Sequence, residues 1–165
     1  MLWLYPPGKP KTIMNQKAEI VEFLRGVELF AQLRDDVLLR MAGAVHLVYL
    51  QRGQLIRDTN RVTASVDGLY IIKSGTAKVT KPSETGDAEA VLAIPRPGHC
   101  FGQIGLIDGL PPSANVTAME SMECYFLPRD AFIHALKDNP EIAVGMLPGL
   151  SSMVRSADQW IAQLL

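Results

Sequence analysis

The residues best suited to chemistry in this chain lie between Phe101 and Ala114, a stretch that contains three glycines and two prolines around a short apolar run. Glycine allows the backbone to approach a ligand closely. A short helix that begins at such a turn directs free N–H groups toward whatever lies there. The stretch is therefore a candidate cradle for a phosphate or another anion. The alternative is an ordinary loop between two strands, closed by Pro111-Pro112.

The order of residues within this stretch is more informative than its composition. It reads Phe101-Gly102-Gln103, then Ile104-Gly105-Leu106, and then Pro111-Pro112-Ser113-Ala114. This order resembles the phosphate-binding cassette of cyclic-nucleotide-binding domains, including the sensor domains of the cAMP-receptor-protein family. That pattern is Phe-Gly-Glu, a small and an aliphatic residue, and then Pro-Arg-Ser/Thr-Ala. The turn glycines and the phrase from Tyr70 to Gly75 extend the resemblance over almost the whole chain, from about Phe23 to Leu164.

The resemblance implies a set of ligand-binding residues within the cassette: Phe101, Gly102, Gln103, Ile104, Gly105, Leu106, Pro112, Ser113 and Ala114. In the family an arginine pairs with the cyclic phosphate and a glutamate accepts from the ribose hydroxyl. Here Gln103 stands at the glutamate position, where its amide oxygen still accepts a hydrogen bond but carries no charge. Pro112 stands at the arginine position and offers neither charge nor a backbone donor.

The effect of the missing cation on binding affinity can be predicted. Removing one partner of a buried charge pair costs about 3–5 kcal/mol, which is a factor on the order of 10² to 10³ in affinity. We therefore predict a cavity that keeps its shape but binds cAMP or cGMP weakly or not at all, unless another cation replaces the arginine. Arg96 and Arg57 are the nearest candidates, and the sequence does not decide between them.

Composition restricts the class of protein. A chain of 165 residues suits a single domain with its own core, and its net charge of −1 argues against a strong electrostatic hold on nucleic acid or an anionic membrane. The histidines His46, His99 and His134 are scattered without metal-ligand spacing. Cys100 and Cys124 lie in apolar surroundings and are expected to be reduced and buried. We predict no enzymatic activity, no metal and no cofactor.

The pattern of elements predicts a mainly β fold. Helical periodicity over residues 16–25 and from Asp35 to about Gly43 precedes a series of short strands between Val45 and Leu127, and helical periodicity then returns. Together with the resemblance, this predicts a β-roll of the double-stranded β-helix or jelly-roll type, with N-terminal helices and a C-terminal helical segment. We predict an N-terminal arm at 1–15, the β-roll domain with its N-terminal helices at 16–138, and C-terminal helices at 139–165. Pro148-Gly149 is expected to break the last segment into two helices.

The last segment has an apolar stripe with heptad spacing, formed by Leu150, Met153, Ala157, Trp160 and Leu164. Two interpretations remain open: a helix packed on its own domain, or one half of a homodimer seam, which the resemblance favours. We expect no DNA-binding module in this chain, because the helix-turn-helix of the family's transcription factors would follow the final helix. The sequence shows no secretory signal and no apolar run of membrane-spanning length, so we expect a cytoplasmic protein.

These observations predict a non-enzymatic regulatory domain whose cavity takes a small ligand and whose C-terminal helix responds to it. The ligand would be cAMP, cGMP or another small anion. The alternative is a ligand-independent dimerisation or docking module that keeps the fold only for its surface.

Overall fold

The structure is a computed structural model that describes residues 13–60 and 68–164. The elements follow one another in the order α1 (Ile13–Arg25), a 3-10 turn (Glu28–Phe30), α2 (Asp35–Ala42), β1 (His46–Leu50), β2 (Leu55–Arg57), β3 (Gly68–Ser74), β4 (Ala77–Pro82), β5 (Glu89–Ala93), β6 (Cys100–Phe101), α3 (Gln103–Asp108), β7 (Asn115–Ala118), β8 (Met122–Pro128), α4 (Arg129–Asp138) and α5 (Glu141–Leu164). The predicted fold class is confirmed: the protein is mainly β, with helices before and after the strands.

The described strands form two antiparallel four-stranded sheets with the orders β1-β8-β3-β6 and β2-β7-β4-β5. Strand β3 lies inside the first sheet, and its first five residues are buried or half-buried on both faces, which explains the apolar run from Leu69 to Ile72. Leu69 and Ile71 face the helices, whereas Ile72 packs between the two sheets. The register of β3 with β6 places Tyr70 opposite Phe101, and their rings stack with centroids 4.9 Å apart. This pairing fixes the start of the candidate cassette on the first sheet.

The core has two parts. One lies between the sheets and is built from residues such as Val116 and Cys124. The other lies between the first sheet and the helices, where Leu106, Phe132 and Met146 belong to one buried cluster. Helix α3 therefore contributes directly to the core that the helices share.

Two boundaries differ from the predictions. Helix α1 begins at Ile13, so residues 13–15 of the predicted arm are helical, while residues 1–12 lie outside the described residues. The predicted break at Pro148-Gly149 is wrong, because α5 continues through Pro148. Pro148 lies on the exposed side of the helix, where a carbonyl left without its N–H partner is open to solvent, and Met146 and Gly149 are buried on the other side.

Candidate functional site

A cavity of about 420 Å³ lies between the second sheet and α3. This volume falls within the range of small-molecule sites, roughly 300–1,000 Å³. Its lining is mostly apolar and consists of Arg57, Val79, Ala93, Pro95, Cys100, Phe101, Gly102, Gln103, Ile104, Gly105, Asp108, Leu110, Pro111, Pro112, Ser113, Ala114 and Val116. Strands β2, β4, β5, β6 and β7 all contribute, so the cavity exists only once the roll is formed.

Every residue predicted for the site from the sequence lines this cavity except Leu106. Leu106 is fully buried on the opposite side of α3, in the core shared with the helices. Pro112 lines the cavity and Ser113 lies exposed at its edge, where its hydroxyl is available as a donor. Whether these residues bind a ligand stays a prediction, and the structure establishes only that they surround one space.

Helix α3 owes its placement to glycines at both ends. Gly102 has φ +90° and Gly109 has φ +68°, a conformation that favours glycine over residues with a Cβ. Gly102 is also tightly packed, since a Cβ there would overlap the Gly68 carbonyl oxygen and come within 2.6 Å of Arg57 Nη1. The glycine at position 102 therefore permits both the turn into α3 and the close approach of an arginine.

Arg57 is the lining residue whose role the sequence left open. It ends β2 beside Val116 of β7, is only 8% exposed, and donates a hydrogen bond from Nη1 to the Gly68 carbonyl oxygen at 3.1 Å. It takes part in further interactions as well. Arg96, the other candidate, is exposed in the turn before β6 and does not line the cavity. Of the two arginines, the fold brings only Arg57 to the cassette.

Sequence reasoning missed the lining residues that lie outside the cassette, such as Val79 and Ala93, and it also missed Asp108 within the cassette. The alternation of apolar and polar residues along β4 indicates that one face of the strand is buried. The strand order that turns this face toward α3 cannot be predicted from neighbouring residues. Asp108 accepts a hydrogen bond from the Leu110 N–H at 2.8 Å and so closes the end of α3. Arg57 and Asp108 are the formally charged residues among the described lining.

One thiol, that of Cys100, lines the cavity. Burial, with a smaller effect from Glu28, raises the pKa of the Cys100 thiol to about 11, so the thiol stays protonated near neutral pH. Both cysteines are free. Within residues 13–60 and 68–164, no three His, Cys, Asp or Glu side chains are grouped to hold a metal ion. In the same part of the chain, no helix has the length and apolarity to cross a membrane.

A polar contact joins α3 to the next helix. Arg129 begins α4 and donates from Nη2 to the Ile107 carbonyl oxygen at 3.3 Å, near the C-terminal end of α3. A cation at this end of a helix is favourable because the last carbonyls there have no intrahelical partner. The guanidinium fills the space beside Gly109, where a Cβ would lie 2.8 Å from Cζ. We therefore expect a shift of α3 to change the position of α4.

Comparison with known proteins gives the same family as the residue pattern. The family model described as "Cyclic nucleotide-binding domain" matches residues 43–139, more than half of the chain. The "CRP-like cAMP-activated global transcriptional regulator" of Mycobacterium tuberculosis is 30% identical over 99 residues, which cover 60% of this chain and 44% of that protein. The "cGMP-dependent protein kinase, isozyme 1" of Drosophila melanogaster is 31% identical over 124 residues, covering 74% of this chain and 16% of the kinase.

Solved structures share the architecture. The crystal structure of the N-terminal domain of a transcriptional regulator from Streptomyces coelicolor A3(2) superposes with a TM-score of 0.70 at 26% identity, covering 84% of this chain and 94% of that one. The chain spans less than half the length of the two full-length relatives named above. The likeness therefore concerns one domain of those larger proteins.

Proposed function

Because the chain belongs to the cyclic nucleotide-binding domain family, we propose that it is a non-enzymatic sensor domain that takes a small anionic ligand into its cavity and passes the change to α5. The relatives are regulators and kinases whose names refer to cAMP or cGMP, which makes these two nucleotides the first ligands to test. The proposed ligand contacts are the lining residues at 101–105 and 112–114. In this proposal the β-roll and its N-terminal helices form one domain, and α5 is attached to that domain.

The observation that carries this proposal is the double role of α3. Its residues Ile104 and Gly105 line the cavity, while the next residue, Leu106, is buried in the cluster that holds Phe132 of α4 and Met146 of α5. A ligand that changes the position of α3 must therefore repack the core on which α5 rests. A packed core resists gradual deformation, so a small displacement at the cavity favours a second discrete arrangement of the helices.

We propose further that cAMP and cGMP bind more weakly here than in a domain with the full cassette. Pro112 supplies no charge and Gln103 is neutral, so the two charged contacts that the resemblance implies at these positions are missing. The missing cation alone corresponds to about 3–5 kcal/mol, and a low-micromolar site would weaken to roughly 0.1–1 mM when Arg57 offsets part of that loss.

Isothermal titration calorimetry with cAMP and with cGMP tests this proposal directly. We expect dissociation constants of roughly 0.1–1 mM for at least one of them, with slower amide exchange in α4 and α5 when the ligand is added. Low-micromolar binding would contradict the weakening while leaving the sensor role in place. A flat response in a thermal-shift screen of nucleotides and small anions, with no change in exchange, would instead support the docking module.

The surface of α5 supports a homodimer, which we propose for both functions. The residues of its heptad stripe are half-buried to exposed, with Trp160 57% and Leu164 67% exposed. Val154 and Ile161, which are 62% and 53% exposed, lie on the adjacent side of the same helix and widen the apolar face. Apolar residues at heptad spacing on an exposed helix are the pattern of a two-helix seam. The proposed contacts are Leu150, Met153, Ala157, Trp160 and Leu164.

Replacement of one stripe residue tests the dimer. Trp160→Ala is expected to halve the mass measured by light scattering at low micromolar concentration, because a large aromatic side chain at an interface contributes more than its neighbours. Leu39→Ala is the matched control, since Leu39 is 51% exposed on α2, away from the stripe. An unchanged mass for Trp160→Ala would contradict the seam, and a monomeric parent protein would contradict the dimer itself.

A further inference from the structure

We infer that Arg57 binds the anionic group of the ligand and supplies the positive charge that Pro112 does not. The inference rests on the proposed function, and it also narrows the ligand to a class: a small organic phosphate with a ring body that fits the apolar wall. Arg57 reaches the site from β2, more than forty residues before the cassette in sequence. The site thus takes its cation from a different strand.

The packing around Gly102 is the first support. The absence of a side chain there allows Arg57 Nη1 to approach the turn at the beginning of α3, where a Cβ would come within 2.6 Å of that atom. Arg57 is only 8% exposed although it carries a charge, so its guanidinium is held by the fold rather than extended into solvent. Because the side chain is already fixed in place, it loses little conformational entropy when it binds an anion.

The hydrogen bonding of Arg57 is compatible with an additional acceptor. A guanidinium has five N–H donors in a planar fork. Nη1 donates to the Gly68 carbonyl oxygen, and the side chain has further interactions. We do not require these to break, because the fork can serve a phosphate oxygen on one edge while it keeps backbone contacts on another. The backbone contacts would then position the cation.

The charges around the cavity are the second support. Arg57 is the cation among the described lining residues, and the carboxylate of Asp108 is occupied by the Leu110 N–H at the far end of α3. Gln103 adds an amide without a negative charge, so it does not repel a phosphate. The positive group therefore lies at the beginning of α3, beside the neutral Gln103, while the negative charge of Asp108 lies at the other end of the helix, and this separation suits an anion bound near Gly102.

The apolar part of the lining indicates what chemical group the ligand carries besides its phosphate. Val79, Ala93 and Val116 line the wall toward the second sheet, and Ile104 and Leu110 border it although they are 54% and 62% exposed. A ring system that covers these side chains removes apolar surface from water at about 25 cal/mol per Å². A free inorganic phosphate gains nothing from this wall, so an organic phosphate is expected to bind more tightly.

Four variants of the protein, with a fifth as a substitute, test the role of Arg57, with cAMP as the titrant in calorimetry and inorganic phosphate as a competitor. Arg57→Met removes the charge and keeps much of the side-chain volume, and Pro112→Arg places a new cation on another wall of the same cavity. The double variant combines them, and Arg96→Met is the control, because Arg96 is exposed outside the cavity. Thermal melting without ligand checks folding, and Arg57→Gln, which also removes the charge but keeps N–H donors, takes its place if the methionine variant does not fold.

We expect Arg57→Met to weaken cAMP binding by about tenfold to a hundredfold. Pro112→Arg is expected to strengthen binding in the parent chain and to restore it in the double variant, while Arg96→Met leaves the dissociation constant unchanged. Inorganic phosphate is expected to compete only at much higher concentration than cAMP.

The outcomes separate the two proposals. If Pro112→Arg binds cAMP but Arg57→Met binds as well as the parent, the role of Arg57 is wrong and the sensor cavity stands. If Pro112→Arg binds cAMP but the parent binds neither nucleotides nor small anions, both the role of Arg57 and the sensor function of the parent are wrong. If neither the parent nor Pro112→Arg binds any nucleotide, the proposed function itself is wrong. Should Arg57→Met fail to fold, weaker cAMP binding by a folded Arg57→Gln protein supports the role of the charge, and binding as tight as that of the parent contradicts it.

Discussion

Gly102→Ala is predicted to damage both the fold and the site. The new Cβ would overlap the Gly68 carbonyl oxygen and lie within 2.6 Å of Arg57 Nη1, at a residue whose φ is +90°. The left-handed backbone alone costs roughly 1–2 kcal/mol for a residue with a Cβ. Displacing Gly68 also breaks its hydrogen bond with Arg57, which costs a further 1–3 kcal/mol or so. The expected loss is therefore about 2–5 kcal/mol, a large part of a typical domain's stability.

Gly98→Ala is the matched control for this substitution. Gly98 has φ +87°, almost the same backbone conformation, but a Cβ there meets no heavy atom within 4 Å. Its expected cost is therefore the backbone contribution alone, about 1–2 kcal/mol. Because the two variants share the same strain, the difference between their unfolding free energies isolates the contact with Gly68 and Arg57.

Urea denaturation of both variants, followed by circular dichroism, measures this difference through the transition midpoints at constant slope. The reasoning is refuted if the two variants lose equal stability within about 0.5 kcal/mol, since the close approach at Gly102 would then have no energetic weight. Ligand titration gives a second readout, because Gly102→Ala also displaces Arg57 and should weaken cAMP binding, whereas Gly98→Ala should not.

Three further predictions concern the helices and the thiol. Gly149→Ala should destabilise the fold by about 1–3 kcal/mol in urea denaturation, because its Cβ would lie 2.5 Å from the Glu28 carbonyl oxygen. Arg129→Met should accelerate amide exchange in α3 and lower stability by about 1 kcal/mol, since the contact with the Ile107 carbonyl oxygen is lost. Burial raises the pKa of the Cys100 thiol to about 11. The protonated thiol therefore contributes its full stabilisation of the fold below the pKa of the unfolded state, and this contribution is lost as the pH rises toward 11. Iodoacetamide at pH 8.5 should modify Cys100 about a hundredfold more slowly in the folded than in the unfolded protein.

Local signals in the sequence, together with the resemblance, were sufficient for the fold class and for eight of the seventeen residues that line the cavity. Alternation and β-branched content identified β3 and β4, and the glycines around Gly102 marked the turn into α3. These features depend on the properties of neighbouring residues, which a single sequence contains. The cassette is one continuous segment, so its residues gather at one cavity without any knowledge of strand order.

Features that depend on tertiary packing were not predictable in the same way. The choice between Arg57 and Arg96 depended on which strand lies beside β7, and the sequence gives no register for that pairing. The break expected at Pro148 did not occur because packing of Gly149 against Glu28 stabilises the helix through the proline. Tertiary packing outweighed local helix propensity there.

The way α5 is attached explains why a change at α3 should move it as a unit. Gly145 and Gly149 allow α5 to approach Leu33 and the 3-10 turn closely, and the Ser152 hydroxyl forms a hydrogen bond with the Glu28 carboxylate on the same face. Phe30 of that turn packs near Phe132 of α4, with ring centroids 6.1 Å apart. Close contacts without intervening long side chains leave little room for independent sliding. The 3-10 turn and α5 should therefore shift together when α3 and α4 repack, and amide exchange at both should respond to the same ligand concentration.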